Sequence, residues 1–109
     1  MKIIKFRSSL VPLVLSGEKN STWRLFDDKD LSVGDDIELR NWETGEVFGT
    51  ATIHKVAEKP FQELTEDDWK GHESFQDDDE MYATYSRYYQ RPIGPQSVVK
   101  IIWFDNLRM

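Results

Sequence analysis

Lys19, Thr22 and Arg24 stand close together in the run Gly17-Glu18-Lys19-Asn20-Ser21-Thr22-Trp23-Arg24, and their types suit a polar or anionic ligand. Gly17 permits a left-handed exit from a helix, and the strand that follows puts Thr22 and Arg24 two apart, on one face. A hydroxyl and a guanidinium then point the same way, with Lys19 at the strand mouth. The competing reading has Lys19 and Arg24 solvating a strand edge or pairing with Glu18, Asp27 or Asp28. A second candidate is Gly71-His72-Glu73-Ser74-Phe75, where a flexible residue meets an expected helix start. Free backbone N–H groups at such a start can bind an anion or orient a carboxylate. Glu73 could serve as a general base if a cleft raised its pKa, and His72 could do so unaided. The simpler alternative is that Ser74 caps the helix and Glu73 only favours its dipole. Four Trp and four Tyr offer stacking surfaces for bases, but so small a chain also needs its aromatics for a core.

Composition limits what these residues can belong to. A chain of 109 residues has room for one compact core, so a single domain over 1–109 is expected. Absent cysteines exclude disulfides, thiolate zinc sites and a cysteine nucleophile, and two histidines leave little for a metal; no metal or cofactor is expected. The longest mainly apolar run, Leu10 to Leu15, is far shorter than the roughly 20 residues of a membrane span, and the N-terminus carries no basic-then-apolar signal. A soluble, cytoplasmic protein with no membrane partner is expected. The net charge of −6 and pI of about 4.8 argue at face value against nucleic acid. The charge is local, however. Between Phe61 and Glu80 one lysine faces nine acids, giving −8, so the rest of the chain carries +2. The acidic segment reads either as a solvated loop and helix start, or as an arm that screens a cleft or mimics a polyanion.

The elements that must position the candidates follow from pattern. Lys2 to Arg7 reads as a strand, and Ser9 as the cap of a short helix over Leu10–Leu15, with Pro12 tolerated in the first turn and Gly17 at the end. Asn20–Phe26 is a second strand. Asp36–Trp42 alternates as a half-buried strand, Glu43–Glu46 turns, and Val47–Val56 returns as a hairpin. Irregular chain with a short helical turn follows Pro60. Ser74 then caps a longer helix with Asp77 to Glu80 in its first turns, Arg87 and Arg91 near its end, and an aromatic face from Met81, Tyr82, Tyr85, Tyr88 and Tyr89. Ser97–Phe104 is a strong final strand. This order predicts an α+β fold: a small mixed β-barrel of about five or six strands, with a short helix after strand 1 and a longer helix before the last.

The Gly-x-Lys-x-x-Thr-x-Arg pattern over Gly17–Arg24, Val33-Gly34-Asp35 at a strand entrance, and Gly71-His72-Glu73-Ser74 before an acidic, aromatic helix together resemble the ASCH domain, a PUA-like β-barrel, over nearly the whole chain. The resemblance implies binding of RNA or a nucleotide- or nucleoside-like ligand in a cleft beside the barrel. Lys19, Thr22, Arg24, His72 and Ser74 are the expected ligand residues, and phosphate contacts are expected from Lys19, Arg24 and either Arg40 or Arg87. Some small members are amidohydrolases that deacetylate acetylcytidine with a lysine, a threonine and a glutamate. Carried onto this chain these are Lys19 and Thr22, with Glu73 as the carboxylate and Glu66 as the fallback. Three functions therefore stay open: a nucleic-acid or nucleotide binder, a small hydrolase, and an interaction domain using its acidic segment. The acidic segment makes duplex DNA a poor partner, and a small ligand or splayed single strand a better one.

Overall fold

A computed structural model describes residues 1–26, 29–70, 72 and 75–109. The strands are β1 (Lys2–Phe6), β2 (Ser21–Arg24), β3 (Asp36–Asn41), β4 (Val47–Pro60) and β5 (Val98–Arg108); the helices are α1 (Val11–Ser16), α2 (Glu66–Trp69) and α3 (Asp78–Tyr89). The strands form one sheet in the order β1-β3-β4-β5-β2. β1 runs parallel to β3, and the other neighbours are antiparallel. The result is an α+β architecture built on a curled half-barrel. β1 and β2 are its two edges, so the barrel has a seam.

Alternation along the strands divides the interior in two. Ile4 and Phe6 of β1, Ile37 and Leu39 of β3, Ala51 and Ile53 of β4, and Ile102 and Phe104 of β5 point to the concave side and pack with Val14 of α1. Val99 and Ile101 of β5 point the other way. With Trp23 and Phe61 they receive Met81 and Tyr85 of α3. β5 thus serves both cores, which is why Ile101 to Phe104 read as continuously apolar, while Lys100 before them is a buried charged residue. Gly49 lies where an added Cβ would stand 2.8 Å from the Arg108 carbonyl oxygen, so only glycine lets β4 and β5 approach there.

Several boundaries differ from expectation. Ser9 is not a cap. A 3-10 turn over Ser8–Leu10 leads into α1, and the Leu10 N–H bonds the Arg7 carbonyl (2.8 Å), so backbone does what the hydroxyl was expected to do. Ser8 reaches across instead, its N–H and hydroxyl donating to Glu43. Gly17 ends α1 at φ 84°, as its position in the motif suggested. β4 continues four residues past Val56 because a bulge between Ile53 and Lys55 resets its register, and its extension, Ala57–Pro60, pairs with Val98–Ile101. α3 begins at Asp78. Its N-cap is Asp77, whose carboxylate accepts the Glu80 N–H (2.8 Å), while Glu80 accepts the Gln76 N–H (2.9 Å). Ser74, expected as this cap, lies outside the described residues.

Acids of the charged segment thus act within the fold. Asp68 is buried, closes a capping box on Thr65 and pairs with Lys59 at 2.8 Å. No helix among the described residues is long and apolar enough to cross a membrane.

Candidate functional site

The seam is bridged by cations rather than by a backbone ladder. Along β1 the carbonyls of Ile3 and Lys5 share one edge. Lys29 Nζ donates to the first (2.6 Å), and Arg24 Nη2, from β2, donates to the second (2.8 Å). Arg24 also lies over the Phe6 ring, at 5.7 Å. Its position follows from the two-residue period of β2, which turns Thr22 and Arg24 away from the α3 core that takes Trp23.

A cavity of about 140 Å³ opens beside this bridge. Lys19, Thr22 and Arg24 line it. Lys19 is 3% exposed and Thr22 5%, so the lysine does not solvate a strand edge. Its Nζ donates to the Ser21 carbonyl at 2.8 Å and lies 5.9 Å from the Phe6 ring centre. On the α3 side His72 lies flat on Trp23, with ring centres 3.9 Å apart and planes 14° apart. The Tyr85 hydroxyl is 3.4 Å from His72 Nε2. Trp23 also lines the cavity, and its buried Nε1–H has no acceptor among the described residues. Tyr89 is held over the seam by its hydroxyl, which accepts the Leu25 N–H (3.0 Å).

The rim is built from three distant segments. Arg7 sits between Trp42 of the β3–β4 turn and Tyr88 of α3, its guanidinium 4.8 Å and 5.0 Å from the two ring centres. Trp42 and Tyr88 remain about half exposed, at 51% and 49%. Lys5, Arg7, Lys19 and Arg24 give the wall four cations. Such stacking orients flat surfaces and positive charge together.

The sequence candidates therefore divide. Lys19, Thr22, Arg24 and His72 line one cavity. Glu73 and Ser74 lie outside the described residues. Glu66, the fallback carboxylate, is exposed in the first turn of α2 and does not line the cavity. Arg40 is engaged by Glu38 (2.7 Å) and Arg87 points toward Thr84, and neither reaches the site. His72 does not sit at a helix start, because Asp77 caps α3 five residues later. Gly34 and Asp35 of the motif are structural: Gly34 turns at φ 92°, and Asp35 accepts from Ser32 N–H and Lys2 Nζ, tying the loop to β1. Lys5, Arg7, Trp42, Tyr88 and Tyr89 were not singled out as ligand residues. Their only signal was an aromatic and basic character that core packing and solvation explain equally well.

No family model matches the chain, and no curated protein does either. Solved structures do. The protein EF3133 of Enterococcus faecalis V583, described by the family model DUF984, superposes with a TM-score of 0.75 at 18% identity, over 89% of this chain and 69% of that one. An ASCH domain from Lactobacillus crispatus gives 0.69 at 14% identity, over 95% and 79%. The ASCH protein of Zymomonas mobilis gives 0.65 at 14% identity, over 95% and 66%. The overall arrangement of sheet and helices is thus shared with these proteins, and the chain has the ASCH-domain fold.

Proposed function

We propose that the seam cavity receives one base of a nucleotide or of a single-stranded RNA. The observation that carries this reading is the joining, in one cavity, of four cations with the flat rings of Trp23, His72 and Tyr85. A volume of about 140 Å³ is close to that of cavities that hold one benzene-sized ring, so it suits a single unstacked base and not a base pair. Lys5 and Arg7 at the rim suit the phosphate. Titration with single-stranded RNA is expected to show binding at low salt that weakens as salt rises, with a log–log slope of about −2 to −3 for three or four neutralised phosphates. Duplex DNA of the same length should bind much more weakly. Absence of RNA binding at low salt would sink the proposal.

The burial of Lys19 and Thr22 in the same cavity also favours a hydrolase acting on an acylated nucleoside. In that reading the Thr22 hydroxyl attacks the acetyl carbonyl of acetylcytidine, and its proton passes by way of Lys19. The amine of cytidine leaves, protonated by a carboxylic acid for which Glu73 is the candidate. Water then cleaves the acetyl–threonine ester to release acetate and restore the hydroxyl. Acetate release is expected to fall at least about a hundredfold in both Lys19→Ala and Thr22→Ala. No turnover, or turnover that survives both substitutions, leaves binding alone.

A further inference from the structure

We infer that the seam holds a second subsite for the neighbouring nucleotide of the same strand, built from Phe26, Arg91 and Lys29, so that the preferred ligand is at least a dinucleotide. This rests on the reading of the first cavity as a base site. A second cavity, of about 290 Å³, adjoins the first and shares Arg24 and Tyr89 with it. Its far side is formed by Phe26, Lys29 and Arg91.

Phe26 is the telling residue. It is 55% exposed and holds a backbone φ of 53°, a left-handed conformation that a bulky L-residue rarely adopts. Apolar burial does not explain that cost, because half of the side chain faces solvent. The ring is nevertheless precisely partnered in one respect: the Arg91 guanidinium lies 4.2 Å from its centre, and Tyr89 meets it edge-on at 5.6 Å and 74°. Arg91 reaches it because Gln90 turns the chain at the end of α3, also at a left-handed φ of 54°. Strained positions after β2 and at the end of α3 thus bring an aromatic ring and a cation together, which is the chemistry that stacks a base. Arg24 lines both cavities and so stands between this platform and the first cavity, where the connecting phosphate of two adjacent nucleotides belongs, while Lys29 lines the second cavity alone.

The test is calorimetric titration of the unaltered protein, Phe26→Gly and Arg91→Ala with the four nucleoside 5′-monophosphates and the sixteen dinucleoside monophosphates. The best dinucleotide is expected to bind the unaltered protein about tenfold or more tighter than the best mononucleotide. Both variants should lose that gain and keep their mononucleotide affinity. Phe26→Gly should also melt no lower than the unaltered protein, since glycine accepts the left-handed backbone; a merely structural phenylalanine would show a lowered Tm. A dinucleotide that binds no tighter than a mononucleotide, or a gain that survives both substitutions, overturns the second subsite and leaves the first standing. Failure of every mononucleotide and dinucleotide to bind overturns the base-site reading, and this subsite with it.

Discussion

Arg24→Ala is expected to weaken single-stranded RNA binding by about a hundredfold or more at low salt, the largest loss of any single substitution at the seam. Arg24 lines both adjoining cavities and is the side chain that ties β2 to the Lys5 carbonyl. Alanine removes a positive charge from the site and leaves that carbonyl without the Arg24 donor, at a cost of about 1 to 3 kcal/mol in stability. Arg24→Lys is expected to recover only part of the affinity, because an ammonium restores charge but not the planar fork. Isothermal titration with urea unfolding of the same samples separates the two effects. An alanine variant that binds within about threefold of the unaltered protein would contradict a seam site.

Asp68→Asn is expected to lower stability by about 2 to 4 kcal/mol at neutral pH while leaving ligand affinity unchanged. Asp68 does not line the cavities, but it is buried and holds the Thr65 N–H, the Thr65 hydroxyl and the Lys59 ammonium at once. Burial pushes its carboxyl up, yet Lys59 and the two Thr65 donors together pull it down further, to below the ordinary 3.8. A carboxylate held low stabilises the fold fully above its ordinary value, and that contribution fades as pH falls through the lowered one. Stability of the unaltered protein should therefore drop below about pH 4, and the Asn variant, lower at the outset, should converge on it in acid. Asp35, lowered chiefly by its hydrogen bond from Lys2, works in the same direction, so some acid sensitivity remains in the variant. Urea midpoints at pH 7 and pH 2 measure this. Two curves that stay parallel would assign the loss to something other than the charge of Asp68.

The variants also show where sequence reasoning succeeds. Lys19, Thr22 and Arg24 were legible because eight consecutive residues hold them, and a glycine exit followed by a two-residue period fixes their directions locally. The rim was not. Arg7, Trp42 and Tyr88 come from three segments that meet only once the sheet has curled, and nothing near any of them announces the stack. The α3 start was not legible because Ser74 and Asp77 are both good cap residues by type, and it is the Asp77 carboxylate that accepts the Glu80 N–H. The end of β4 was hidden by its bulge: His54 and Lys55 are both exposed, which breaks the alternation just where the strand continues. Pattern alone gives a mixed barrel of about five or six strands, whereas its open seam depends on which two strands fail to pair, a property of topology rather than of any segment.

That seam bears on how the molecule avoids its own kind. An unpaired strand edge such as β1 invites a strand from another chain, and from there sheet-to-sheet association. Here the carbonyls of Ile3 and Lys5 are already taken by Lys29 and Arg24, two positive side chains that a second copy would bring against their own likeness. If these groups draw a polyanion toward the cavity as proposed, the same two residues would also guard the edge against a second copy, so a substitution made to change one property would change the other.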